Sequence, residues 1–447
     1  MKYSHTTDDS RLVKKGSMFV AIKGEHVDAY DFIPDAIAKG AAAVVSEKDP
    51  KKEWLEKVEY TKVKDAREAL AHYASEFYGN PSKKLKVIGV TGTDGKTTTC
   101  HMIYEILKTA GKKVGLISSI TSPGLHVTSP EPLELHKLFA KMVKQRKKYV
   151  VLETTSHAIS QKRVHGIDFD FAVLTNITHE HLDYHKNFEA YRDTKLKIFE
   201  NAQTSILNKD EQSYTYFDEK IKGEKIGYSL KVNSLKLEKL MGEDIQNVGD
   251  YNIQNALAAA TVARKLRINE EIISKALSEM SLPKGRLEKV ANKKGLNIYV
   301  DFAHTPNALK EVLTLLDKYK KRNLIVVFGC AGERDVKKRP VMASIATDIA
   351  DISVFTAEDP RSEDINAIFE DMLAGVTKKT AGFEKIPERG EAIYYALNKL
   401  AKKGDTVVIA GKAHEKSMAY NGVEYPWNDF KAVDFALKGK VLEIKRK

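Results

Sequence analysis

Cysteine is scarce in this chain: two in 447 residues, Cys100 and Cys330, far apart and in different motifs. That excludes a disulfide framework and points to a reducing compartment. No apolar run approaches the roughly 20 residues needed to cross a bilayer. The start, "MKYSHTTDDSRLVKKG", lacks the apolar stretch of a secretory signal. A cytoplasmic location without membrane insertion is therefore expected. Low-complexity segments and short-period repeats are missing too. So is an arginine-rich stripe interleaved with aromatics, although the net charge is +12. The lysines come in scattered pairs, as in "KKEWLEKVEYTKVK". A basic surplus serves either nucleic acid or an anionic small substrate. The scatter speaks against nucleic acid as a partner, and a basic nucleic-acid-binding ATPase is kept only as the reading from another class.

Apolar residues make up 42% and charged residues 30%, the balance of a soluble globular protein. The length is too great for one core, so two to four domains are expected. To about Ser82 the pattern reads strand, helix, strand: "SMFVAI", "AYDFIPDAIAKGA", "AAAVVSE". "YGNPSKK" is a turn-rich linker. From Lys83 strands and helices alternate, which argues for a parallel sheet covered by helices. "SLPKGRLEKV", with Pro283 and Gly285, breaks the pattern, and a second open α/β segment follows. The expected fold class is α/β, in three domains: 1–82, 83–282 and 283–447.

The stretch "VIGVTGTDGKTTTCHMIYEIL" reads as a buried strand, a tight loop and a helix. Backbone N–H groups at a helix start bind anions, and Gly92 and Gly95 let the backbone come close. Lys96 can reach phosphate oxygens and the Thr97 hydroxyl can ligate Mg²⁺. A threonine-rich first turn without a ligand fits the same residues, and five residues rather than four separate Gly89 from Gly95. "VVLETTSHAIS" places Glu153 after a buried strand. "LTNITHEHLDYH" delivers His181 and Asp183 in the same way, on the edge where α/β sheets bind ligands. One such residue at a strand end is usually a solvated loop residue. Several on one edge beside a phosphate loop suggest a site.

In order through the chain, "DSRLVKKGSMFVAIKG", "GTDGKTTT", "TSPEPLEL", "ETTSHAISQKR", "TNITHEHLDYH", "YRDTKLKIF", "NIQNALAAA", "GRLE", "DFAHTPNAL", "VFGCAGERDVKKRPVM", "EDPRSED" and "GKAHE" resemble the Mur ligase family. These are ATP-dependent amide-forming enzymes of peptidoglycan synthesis. The resemblance is strongest to members that add the third amino acid to UDP-N-acetylmuramoyl-L-alanyl-D-glutamate. It implies a three-domain architecture: a small N-terminal domain for the UDP substrate, a central P-loop-type domain for ATP, and a Rossmann-like C-terminal domain for the amino acid. It implies ATP and Mg²⁺ as cofactors, an acyl-phosphate intermediate and a monomer. Another Mur ligase or a folylpolyglutamate synthetase is the alternative within enzymes; "TSPEP" argues against the folate enzyme.

The resemblance also implies roles. Gly92, Thr93, Asp94, Gly95, Lys96, Thr97 and Thr98 form the ATP loop. Asn255, Arg286, Asp301 and His304 lie along the nucleotide. Thr97, Glu153, His181 and Lys195 hold metal, with Lys195 carbamylated; by its residues alone it reads as a solvated helical lysine, as Lys197 does. Lys96, Glu153, His181 and Lys195 carry the catalysis. Ser10 and Arg11 match the uridine-side motif, and Thr128, Ser129, Ser156 and Arg163 the muramoyl-peptide contacts. The little chain before "DSR" leads to the expectation of a more open uridine pocket. Arg334, Glu358, Asp359, Arg361, Gly411 and Glu415 match the amino-acid pocket. Arg361 favours meso-diaminopimelate, whose distal carboxylate it can clamp. Asp359, where the family's diaminopimelate motif has Asn, adds an opposing negative charge, and L-lysine is the alternative. Glu180 stands where Asp is usual, and Ala413 where Gly is.

Overall fold

The computed structural model describes residues 3–24, 27–122, 127–232, 235, 238–244, 248–377 and 382–446. Three larger sheets organise these residues. In the first, His5–Thr7, Ser17–Ala21, Ala43–Ser46 and Glu59–Lys62 run parallel in that order. The expected strand–helix–strand forms its middle. The two outer strands escaped the sequence reading because one is short and the other, "EYTK", is polar.

The second sheet is wholly parallel. Its order is Glu224–Tyr228, Thr204–Asn208, Phe171–Leu174, Lys86–Thr91, Tyr149–Glu153, Val114–Ile117. Val87, Ile88 and Val90 are fully buried in its central strand. A strand covered on both faces reads as a continuous apolar run, and this one does. The helix Lys96–Thr109 turns Cys100, Ile103 and Leu107 onto the sheet, at helical spacing. Asp250–Lys265 lies against that helix. Its buried Ala256, Ala259 and Ala263 leave room for close approach.

The third sheet runs Glu288–Val290, Asn297–Asp301, Thr406–Ala410, Leu324–Phe328, Ile352–Phe355, Gly382–Lys385. Glu288–Val290 pairs antiparallel and the others parallel. "SLPKGRLEKV" is thus a break that ends in an edge strand, too short and charged to read as one. A hairpin of Ser417–Tyr420 and Val423–Pro426 stands outside this sheet.

Parallel strands all point the same way. Thr91, Glu153 and Leu174 therefore end on one edge of the second sheet. Asp301, Phe328, Phe355 and Ala410 end on one edge of the third. The loops after these ends meet across one cleft. No helix among the described residues is long and apolar enough to cross a membrane.

One buried group sits outside that cleft. His136 has no exposed surface, and neither ring nitrogen has a partner. Burial lowers its pKa to about 4. The folded pKa lies below the unfolded value of about 6.5, so its stability contribution is complete above that value and is lost as pH falls toward 4. The loss by pH 5 is about 2 kcal/mol. His136→Leu should narrow the gap between melting temperatures at pH 7 and pH 5. An unchanged gap would show that this histidine does not set the acid limit.

Candidate active site

The cleft measures 1060 Å³ and is lined by residues of the second and third sheets. Its floor is the loop after Thr91. Gly92 (φ 153°) and Gly95 (φ 80°) both lie in the left-handed half of backbone space. A Cβ at Gly92 would come within 1.8 Å of Thr175 Oγ1, and one at Gly95 within 2.3 Å of Asn255 Oδ1. Only glycine fits at either place. Gly95 caps the helix that Lys96 opens, so the first N–H groups of a 14-residue helix face the cleft. Lys96 Nζ donates to Thr93 O at 2.6 Å. Thr97 Oγ1 donates to Glu153 Oε1 at 2.9 Å, and Glu153 Oε2 accepts from Ser119 N at 2.9 Å. Thr98 is buried and lines the cleft beside Thr97.

The third sheet's side grips this floor. Arg286 Nη2 donates to Thr97 Oγ1 at 3.0 Å. The Asp94 carboxylate accepts from Thr305 Oγ1 at 3.0 Å and from Asn307 Nδ2 at 2.9 Å. Asp301 is buried and accepts from Leu287 N and Ala303 N. His304 packs on Phe302, and burial lowers its pKa to about 3. Asn255 lies inside the helix Asp250–Lys265 and accepts from Thr99 Oγ1 at 3.2 Å.

Lys195 departs most from an ordinary helical lysine. It is 1% exposed, whereas Lys197 faces solvent. Its Nζ lies 2.6 Å from Gly92 O and over the Tyr191 ring. Burial, then repulsion from Lys96, holds its pKa well below the usual lysine value. His181 has φ 55°, a left-handed turn that aims its ring at His157, 4.6 Å away between centroids. Burial and His157 hold it neutral. The structure brings Thr97 and Glu153 together and places His181 on a facing loop of the same cleft.

The residues expected to form the amino-acid pocket also come together. Arg334, Glu358, Asp359, Arg361 and Glu415 line the cleft. Gly411 does not; it backs against the Glu358 carboxyl, and its part is to leave that carboxyl room. Burial pushes Glu358 up to about 8. Asp359 (φ 47°) and Arg361 (φ 56°) both adopt left-handed backbone. The hairpin holds them there: Arg361 N donates to Ala419 O at 3.0 Å and Asn421 N to Arg361 O at 2.7 Å. Strain held by surrounding structure is common at binding sites. One expectation changes. Asp359 is not a free negative charge opposing a carboxylate. Lys412 Nζ donates to its Oδ2 at 2.7 Å and Ala419 N to its Oδ1 at 2.9 Å. Lys412 also pairs with Glu415.

Ser10 and Arg11 lie apart, on a second cleft of 720 Å³ with Phe32, Arg67 and Glu131. Arg11 is exposed and folds back on Asp9 at 2.8 Å. Gln161 lines both clefts, so they adjoin. Thr128 and Ser129 line the main cleft, and Ser129 Oγ donates to Glu153 O at 2.8 Å. Arg163 Nη1 donates to Ser129 O at 2.9 Å. Ser156 is buried and lines neither cleft; its neighbours Thr155 and His157 face the main one.

Sequence reasoning missed Lys338, which is 5% exposed and reaches from the third sheet's side to Glu180 Oε1 at 3.1 Å. The "KKRP" repeat offered no reason to separate a buried lysine from its solvated neighbour. It also missed Ser119, His157 and the fully buried Arg389–Asp429 pair, which holds Ala413 N and Ala410 O under the last cleft loop.

Two α/β sheet units that close a glycine loop, backed by a buried lysine, and a rank of carboxylates around one cleft define a P-loop-type α/β enzyme. Family models match along the chain: "Mur ligase family, catalytic domain" over residues 2–78, "Mur ligase middle domain" over 90–263, and "Mur ligase, glutamate ligase domain" over 285–413. A UDP-N-acetylmuramoyl-L-alanyl-D-glutamate–2,6-diaminopimelate ligase of Clostridium tetani is 40% identical, across 91% of this chain and 89% of that protein. The protein of that name from Bacillus licheniformis is 38% identical, across 98% and 94%. A solved structure of a ligase of the same name matches at TM-score 0.64 and 28% identity, covering 98% of this chain and 95% of that one. The chain belongs to the Mur ligase family.

Proposed function

We propose that this ligase uses ATP to add meso-diaminopimelate to UDP-N-acetylmuramoyl-L-alanyl-D-glutamate, in the cytoplasm and as a monomer. The observation that carries the reading is that the glycine loop, Glu153, His181 and the Arg334–Arg361 pocket line one cleft, with buried Lys195 tied to the loop at Gly92 O. The names of the relatives support the substrates. Residues 1–82 would hold the uridine end in the second cleft, and Gln161 marks where the substrate passes into the main one. Residues 83–282 would hold ATP and 283–447 the amino acid.

The helix start and Lys96 would neutralise the transferring phosphoryl group. The acceptor carboxylate would attack that phosphorus, giving an acyl phosphate and ADP. The amine would then attack the acyl carbon and expel phosphate. Arg163, tied to Ser129, would steer the peptide end. Asn255 and Arg286 would contact the nucleotide's adenine and phosphates and Asp301 its ribose, with His304 beside it.

The donor set fits Mg²⁺. Thr97 Oγ1 and Glu153 Oε1 lie 2.9 Å apart at the loop, both hard oxygen donors. No three His, Cys, Asp or Glu side chains among the described residues form a self-sufficient metal site. His181 and carbamylated Lys195 would complete the set. The ion, when bound, would supply charge neutralisation for the phosphoryl group. Carbamylation joins the Lys195 amine to CO₂ as N–COO⁻ and releases a proton. It needs a neutral amine, a form that burial favours by lowering the pKa of Lys195.

The amino acid is tested by ADP release and amide formation with diaminopimelate and with lysine. Diaminopimelate should be preferred. Arg361→Ala should raise its Michaelis constant at least about tenfold, since a charged hydrogen bond is lost. The constant for ATP should hardly move. Preference for lysine would overturn the assignment.

A further inference from the structure

Glu180 precedes His181 and is 4% exposed. Its Oε1 accepts from Lys338 Nζ at 3.1 Å and lies 3.8 Å from His181 Nδ1. Its Oε2 is buried and has no partner. A buried carboxylate oxygen without a hydrogen bond is costly, and such atoms are rare unless a ligand satisfies them. Glu180 also lines the main cleft. It stands between the loop side, with Lys96 and His181, and the pocket side, with Arg334 and Asp359.

The companion lysine explains why this oxygen is aimed rather than merely buried. Lys338 Nζ donates to Glu180 and, at 2.9 Å, to His304 O. The ammonium is thus fixed by two bonds to opposite sides of the cleft and holds the carboxylate in one orientation. His179 Nε2 and Asp335 Oδ2, 3.0 Å apart, pin the same loop one residue earlier. A carboxylate held this firmly takes a donor at Oε2 without reorganising.

The reaction proposed above brings one hydrogen-bond donor to this part of the cleft. The incoming amino acid enters with its distal carboxylate toward Arg361. Its attacking amine must reach the acyl group near Lys96. We propose that Glu180 Oε2 receives that amine and holds it for attack. The proposal rests on the ligase reading, and it assigns Glu180 to the substrate rather than to a metal.

The test measures Michaelis constants for diaminopimelate and ATP, turnover, and the Mg²⁺ concentration for half-activity. It compares wild type with Glu180→Gln. Direct Mn²⁺ binding is followed by its spin-resonance signal. The constant for diaminopimelate should rise about 10- to 100-fold, the range for a lost charged hydrogen bond. Those for ATP and Mg²⁺, and Mn²⁺ binding, should stay within about twofold. Because Glu180→Gln leaves Lys338 buried without its anion, Glu180→Gln/Lys338→Gln removes both charges together and should show the same rise. An unchanged diaminopimelate constant in a folded variant overturns the proposal. A weakened Mg²⁺ or Mn²⁺ response with unchanged diaminopimelate does so too, since Glu180 would then be a metal ligand. If wild type adds no amino acid at all, the ligase reading falls instead.

Discussion

Lys96→Ala should fold normally and lose ligation by about 10³-fold, the upper range for removing one preorganised charge partner from a transition state. The side chain is partly exposed, and its Nζ bonds only a carbonyl of its own loop. Little stability is at stake, so the loss should fall on turnover. The glycines, the helix start and the Thr97–Glu153 bond survive the substitution. Nucleotide binding should weaken far less than turnover. The check is single-turnover ADP formation beside nucleotide binding by calorimetry. Near-normal ligation would remove the loop from the mechanism.

Lys195→Ala should be as inactive, for a different reason. It removes a buried group that bonds Gly92 O and touches Tyr191. If the group works as a carbamate, small carboxylic acids should restore part of the activity by supplying anionic oxygens in the space left. Wild type stripped of CO₂ should lose activity and regain it with bicarbonate. Lys195→Ala that no carboxylic acid restores, beside wild type indifferent to CO₂, would reduce this lysine to a structural tie beneath the loop.

Much of the fold was legible because its strands are buried on both faces. "VIGVT", "YVVLE" and "LIVVF" are short, largely apolar runs, and such a run is recognisable without its partner strand. The polar edges were not legible. "EYTK" and "EKV" are strands only because a neighbour supplies the ladder. The site divides in the same way. Gly92, Gly95 and Lys96 announce themselves by local geometry, which sequence carries. Lys338, Asp359 and Lys195 depend on what folds over them. Asp359 looked like an unopposed charge until Lys412 was found on it, 53 positions away. Lys195 and Lys197 differ by two positions in sequence and by their whole environment.

The loops proposed to hold the amino acid and the loop proposed to hold phosphate spring from different sheets with separate cores. Descent can therefore edit one end of the cleft without retuning the other. On the proposed roles, an exchange within "EDPR" would alter which building block enters a cell wall, while the machinery that spends ATP would be inherited intact.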